Sequence, residues 1–131
     1  VFSVDLAPNE IIGGVRFVPI RTGAYAKLHQ RASHFAIVGV AAVIQVEEGV
    51  IQSARVGLTG AISHATRLRS VEAALAGQTP SPATIAAATK TAGNRLESVN
   101  ADLHGSQDYR RAMVGVFARR AVEKALGRVG K

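Results

Sequence analysis

From Phe35 to Ile44 the chain reads Phe-Ala-Ile-Val-Gly-Val-Ala-Ala-Val-Ile, its longest apolar run. Both alternating faces are apolar, the pattern of a central strand. With Gln45 and Val46 the predicted strand covers 35–46. Glu47-Glu48-Gly49 follows as a hairpin turn, with a glycine free to take positive φ. The strand predicted over Val50–Leu58 returns with Val50, Ala54, Val56 and Leu58 toward a core and Ser53, Arg55 and Thr59 toward water. Upstream, Leu6–Glu10 reads as a turn and Ile11–Ile20 as a strand broken at Gly13-Gly14. Pro19, which cannot donate to a ladder, suits an edge or an end. Tyr25–Leu28 fits either an extended segment or one helical turn.

After Thr59 the period changes from two to 3.6. A loop spans Thr59–Thr66. Leu68, Val71 and Leu75 stand at i, i+3 and i+7, which predicts a helix over 67–76 with Gly77 at C′. Ser81 can cap the next helix, with Pro82 in its first turn. Ile85, Ala88, Ala92, Leu96 and Val99 carry that helix to about Val99. A last helix runs from about Gln107 to Gly127, with Val114, Phe117, Ala118, Ala121 and Ala125 inward and Arg119, Arg120 and Glu123 outward. Arg110 projects onto the apolar side of this helix. A buried arginine needs partners, so it is expected to bond Asp102 or the carbonyls of the loop before it. Strands come first and helices after. The fold class is therefore α+β, an antiparallel sheet of three to four strands packed against about three helices.

Composition narrows the setting. A chain of 131 residues, 47% hydrophobic, suits one domain with its own core. The absence of cysteine excludes disulfides and thiolate metal sites. The longest apolar run is far short of the ~18 residues of a spanning helix. A cytoplasmic protein without a membrane partner is expected. The chain begins at Val1 without a signal-like segment, and Phe2–Pro8 reads as the middle of a fold, so a piece of a longer protein is expected. The formal charge is +7 and uneven: residues 106–131 carry seven basic and two acidic side chains. Such a segment suits nucleic acid, an acidic partner or a solvated face. No aromatic interleaving or nucleic-acid motif accompanies it, so no nucleic-acid partner is expected.

No self-sufficient catalytic motif is present, neither a zinc-helix motif, nor a nucleophile elbow, nor a phosphate loop. Gly57-Leu-Thr-Gly60 reads as a turn at a strand end. His29, His34, His64 and His104 lack ligand spacing, and no metal site is expected. Asp102 and Asp108 flank a glycine loop, but Arg110 and Arg111 would hold both ionised, against a paired-carboxylate catalyst. Tyr25 and Lys27 remain. Two residues apart, they share one face of an extended strand, where a ring and an ammonium can flank a planar anionic group.

Three segments in order resemble one family. Ala24–Ser33 (Ala-Tyr-Ala-Lys-Leu-His-Gln-Arg-Ala-Ser) with Phe35–Val38 and Val40–Ala42 is the first. Arg55–Gly60 with Arg67 and Glu72–Gly77 is the second. Gly105–Met113 with Arg119-Arg120-Ala121 is the third. Together they resemble the C-terminal domain of the FAD-binding (medium) subunit of molybdenum hydroxylases, the family of carbon monoxide dehydrogenase, xanthine dehydrogenase and aldehyde oxidase. The resemblance implies an α+β domain with helices on one side of its sheet. Residues 1–22 would be the join from a preceding FAD-binding domain and 23–131 the flavoprotein C-terminal domain. FAD would be held mainly by that preceding domain, with Tyr25 as the aromatic position approaching the flavin and Lys27 as its polar neighbour. Arg31 and Asp108–Arg111 would be structural or docking positions. The implied partners are an iron–sulfur small subunit and a large subunit carrying the molybdenum cofactor, with electrons passing from molybdenum through the clusters to FAD. The 131-residue chain would be catalytically inactive alone, with no catalytic residue of its own. The family often has Gly-Gly at Thr59-Gly60, proline before Arg67, and an aspartate near Ser33-His34. The alternatives are a stand-alone protein-interaction module without a flavin role and a basic nucleic-acid-binding domain.

Overall fold

A computed structural model describes residues 5–130 and contains four strands, β1 (Gly23–His29), β2 (Ala36–Glu47), β3 (Val50–Thr59) and β4 (Thr66–Arg67), followed by α1 (Arg69–Leu75), α2 (Pro82–Thr89) and α3 (Gln107–Leu126). The sheet order is β1-β2-β3-β4, antiparallel throughout. α3 lies across β2 and β1, α1 lies on β3, and α2 packs between α1 and α3. The α+β class, the antiparallel sheet and the one-sided helical cover are as expected.

Alternation builds the core. Ala24 on β1, Val38, Val40, Ala42 and Ile44 on β2, and Ala54, Val56 and Leu58 on β3 face the helices and are buried. Leu75, Val114, Phe117, Ala118, Ala121, Val122 and Ala125 meet them from α1 and α3. Each fully buried Val, Leu or Ile contributes roughly 1.5–3 kcal/mol. The β2–β3 turn places Glu48 at φ 50 and Gly49 at φ 76, the double positive φ of a type I′ hairpin. Beyond it the register shifts: Gln45 opposes Ser53 and Val46 opposes Ile51, so Gln52 has no opposite residue. This bulge flips the end of β3. Ile51 is therefore buried, and not Val50 as strict alternation predicts.

Three further expectations are corrected. Residues 11–20 form no strand, whereas Tyr25–Leu28 takes the extended one of its two expected forms, inside β1. A strand needs a neighbour to take its backbone bonds, and none borders residues 11–20 among the described residues. Ile11, Ile12, Val15, Phe17, Val18 and Ile20 are each more than half exposed. The turn before them exists, with Glu10 N–H donating to Ala7 O at 3.0 Å. Residues 1–4 of the expected join lie outside the described residues. Second, α2 ends at Thr89 and not near Val99. A Cβ at Gly93 would overlap the Arg111 carbonyl of α3, and one at Gly115 would stand 3.0 Å from Thr89 O. The chain turns where these two backbones cross. Ala92 and Val99 remain buried without helical periodicity. The caps of α2 and α3 are the serines: Ser81 accepts from Thr84 N–H, and Ser106 from Tyr109 N–H.

Third, part of the expected Thr59–Thr66 loop and the start of the expected α1 form β4, which pairs only with Gly57 and Leu58. It is too short to satisfy Val56, whose N–H donates instead to the Glu72 carboxylate at 2.8 Å. Arg67 donates to both Glu72 oxygens. Burial pushes the Glu72 carboxyl up, but the Arg67 and Val56 hydrogen bonds and the charges of Arg67 and Arg55 outweigh it, leaving it below the ordinary value. A lowered folded value stabilises the fold above the unfolded one, and that contribution is lost as pH falls through the folded value. Glu72→Ala is expected to cost about 2 kcal/mol at pH 7 through the orphaned Val56 N–H. The deficit should shrink below about pH 4, which urea unfolding at pH 7 and pH 3.5 checks.

Candidate functional site

The face of the sheet away from the helices is open. Its rows run Lys27–Gly39–Thr59, Tyr25–Ala41–Gly57–Arg67 and Gly23–Val43–Arg55 across neighbouring strands. The middle of this face is built from Gly39, Ala41 and Gly57, so Tyr25 is the largest side chain there. Tyr25 is 42% exposed. Partial burial against the strand pushes its phenol up. Both sequence-predicted site residues, Tyr25 and Lys27, therefore share one uncovered face, as their spacing on an extended strand requires.

Lys27 is fixed by the turn that follows β1. Its Nζ donates to His34 O at 2.7 Å. His34 N–H donates to Gln30 O and Gln30 N–H to Phe35 O, each at 2.9 Å, which closes the turn. Ser33 adds bonds from its N–H and hydroxyl to Gln30 Oε1. His34 sits at φ 57. The His29 and His34 rings stack with centroids 5.2 Å apart. Linear spacing separates these two histidines; the turn and a register shift at Leu28/His29 bring them together. Among the described residues no three His, Cys, Asp or Glu side chains are placed to hold a metal.

Beside this turn lies a cleft of ≈ 740 Å³, walled by the 30–37 turn, the 59–65 loop and the 100–104 loop, with Arg110 at its floor. Arg110 is 4% exposed. Its guanidinium donates to Asp102 Oδ2 at 2.7 Å, Ile37 O at 2.9 Å, Gly60 O at 3.2 Å and Gly105 O at 3.3 Å. The expected partners Asp102 and the preceding loop are present. The carbonyls of β2 and of the β3–β4 connection, distant in sequence, had no local signal. The Asp102 carboxyl lies below its ordinary value, held first by the His104 N–H and then by Arg110.

The basic C-terminal segment is largely tied down. Lys124 Nζ donates to Tyr25 O at 3.4 Å, and Arg128 donates to Gly23 O. These cations cover the free edge of β1, which would otherwise offer its carbonyls to another chain. Arg119 pairs with Glu123 at 2.8 Å, and Arg120 lies over the Phe117 ring.

The family model of the CO dehydrogenase flavoprotein C-terminal domain matches residues 23–125, from the first residue of β1 to the last turn of α3. The chain belongs to this family. Among its relatives is the nicotine 6-hydroxylase medium subunit of Paenarthrobacter nicotinovorans, 30% identical over 95% of this chain and 44% of that protein. Another is the carbon monoxide dehydrogenase medium chain of Hydrogenophaga pseudoflava, 29% identical over 94% of this chain and 44% of that one. The solved carbon monoxide dehydrogenase of Oligotropha carboxidovorans superimposes with a TM-score of 0.75 at 28% identity, over 86% of this chain and 40% of that chain. The chain thus spans less than half the length of the curated relatives it matches. It is a C-terminal domain of a flavoprotein medium subunit, and its relatives are subunits of oxidoreductase complexes. No helix among the described residues of this flavoprotein domain is long and apolar enough to cross a membrane.

Proposed function

We propose that this chain closes over one side of an isoalloxazine ring that a preceding domain of the same subunit holds. The observation that carries the reading is the Tyr25 ring, exposed on the uncovered sheet face beside the small residues Gly39, Ala41 and Gly57, in a chain of the flavoprotein family. The fit is physical. A planar ring can approach this face because Gly39, Ala41 and Gly57 raise nothing beside Tyr25, and Lys27, anchored through one of its donors, keeps positive charge near the ring's polar edge. FAD, when bound, supplies an acceptor that takes up two electrons and can release them one at a time.

The residues of this chain orient and shield. Tyr25 presents an aromatic surface and keeps water from one side of the ring. The 30–35 turn holds Lys27, and Arg110 fastens that turn's strand to the 59–65 loop. Electrons would reach the flavin from a molybdenum centre on a large subunit through iron–sulfur clusters on a small one, with this domain helping to dock those partners. The exposed apolar side chains of residues 11–20 suit burial against the preceding domain. The basic side chains spent on β1 carbonyls speak against a nucleic-acid role.

Among the described residues no glycine-rich loop opens a helix, the structure that cradles a pyrophosphate. Titrated alone with FAD, it is expected to show no tight binding, whereas a subunit that also carries the preceding domain binds FAD, and Tyr25→Leu in that subunit changes its flavin fluorescence. Tight, stoichiometric FAD binding by the 131-residue chain would overturn the division of labour. An unchanged flavin signal in Tyr25→Leu would overturn the role of Tyr25.

A further inference from the structure

We infer that Gly39 is a positioning residue whose missing side chain seats the Tyr25 ring on the sheet. Gly39 is the fourth residue of β2, opposite Lys27 and one diagonal step from Tyr25, whose direct partner is Ala41. Aromatic side chains reach that diagonal neighbour. A Cβ at Gly39 would overlap the Tyr25 hydroxyl and stand 2.9 Å from Cζ and 3.0 Å from Thr59 Cγ2. Gly39 is buried although it belongs to the uncovered face. What covers it is the end of the Tyr25 ring.

The backbone gives no other reason for this glycine. Gly39 does not take the positive φ of Gly49 or Gly60. A glycine inside a strand is costly, because it loses more freedom on folding and packs no side chain. It also interrupts the apolar run Phe35–Ile44 at one place only. A residue that weakens the central strand and leaves a notch under the exposed Tyr25 ring is accounted for by that ring. With a methyl group at position 39 the Tyr25 ring must lift away from the sheet, into the space where, on the reading above, the flavin lies. Gly39 thus sets the depth at which a ring cofactor can be covered, acting through Tyr25.

The functional half of this inference rests on the proposed flavin contact, and the experiment separates the two. Four proteins are compared: the unaltered chain, Gly39→Ala, Tyr25→Leu and the double variant. Melting temperature is measured on the chain, and flavin fluorescence on the FAD-loaded subunit that contains it. Gly39→Ala is expected to lower the melting temperature by several degrees when Tyr25 is present. In the Tyr25→Leu background it should leave the melting temperature unchanged or raise it. A single variant that fails to fold while the double variant folds is the extreme form of that coupling. The flavin fluorescence of Gly39→Ala should move in the same direction as that of Tyr25→Leu. Equal thermal losses in both backgrounds, including failure of both to fold, would overturn the inference. So would a flavin signal that Tyr25→Leu changes and Gly39→Ala leaves untouched, with the Tyr25 reading intact. A flavin signal that neither variant changes would overturn the Tyr25 reading and the functional part of this inference with it.

Discussion

Arg110→Leu is expected to destabilise the domain by about 3–5 kcal/mol, the range for removing one member of a buried, hydrogen-bonded charge network. For a chain of this size that lowers the melting temperature by roughly 10 °C or more. The loss does not come mainly from the Asp102 ion pair. Asp102 is 48% exposed on its side chain, so its carboxylate returns to water when the guanidinium is gone. The carbonyls of Ile37, Gly60 and Gly105 have less recourse. Leucine offers them nothing, and each buried acceptor left without a donor carries a desolvation cost of about 1–3 kcal/mol. Asp102→Ala is therefore expected to cost much less than Arg110→Leu. Acid gives an internal check. Because the Asp102 carboxyl is held below its ordinary value, its contribution is complete at neutral pH and lost as pH falls through the folded value, below about pH 4. The gap between the unaltered chain and Arg110→Leu should narrow at pH 3 without closing, because carbonyls do not titrate. Urea unfolding at the two pH values measures both effects, and a complete closing of the gap would show that the ion pair carried the whole interaction.

Arg110 also marks how far the sequence could be followed. Its place on the apolar side of α3 follows from 100° per residue. A buried guanidinium on a short tether then leaves few partners nearby, and Asp102 is one. The Ile37 and Gly60 carbonyls are 73 and 50 residues away, and no local pattern joins them to it. The same limit appears elsewhere. The β2–β3 hairpin was legible because its turn and its alternation are local. The Ile51 face was not, because the bulge depends on pairing. The alanine-rich run after Pro82 favours a longer helix by propensity, while the close crossing at Gly93 and Gly115, beyond which α2 does not continue, is tertiary. β4 escaped because two residues carry no period. Residues 11–20 have strand composition but no neighbouring strand, and composition alone cannot supply one. Tyr25 and Lys27 were placed on one face by spacing. The role of Gly39 beneath the ring needed the geometry, although the lone glycine inside Phe35–Ile44 was a visible signal.

Gly60→Ala is the second substitution expected to damage the fold severely, by about 3 kcal/mol or more, from two independent causes. Gly60 sits at φ +81, where a residue with Cβ is strained by roughly 1–2 kcal/mol. That Cβ would also overlap Ala36 O and stand 2.9 Å from Ile37 O and 3.0 Å from Ile37 C, all backbone atoms that no rotamer change can move aside. The Gly60 carbonyl meanwhile accepts from Arg110 at 3.2 Å and from Asn100 Nδ2 at 3.1 Å. Relieving the clash means moving the start of β2 or the 59–65 loop, and either shift pulls an Arg110 acceptor out of reach. The two substitutions should therefore be non-additive, because residues within one hydrogen-bond network share what each removes. The double variant is expected to lose clearly less stability than the sum of the two single losses, read by urea unfolding of all four proteins or, where a single variant is too unstable, in a stabilising co-solvent common to the set. Simple additivity would mean that Gly60 and Arg110 support the fold separately. Non-additivity would place one junction beneath both the 740 Å³ cleft and the turn that holds Lys27. The functional face of this domain would then depend on a contact made on the other side of its central strand.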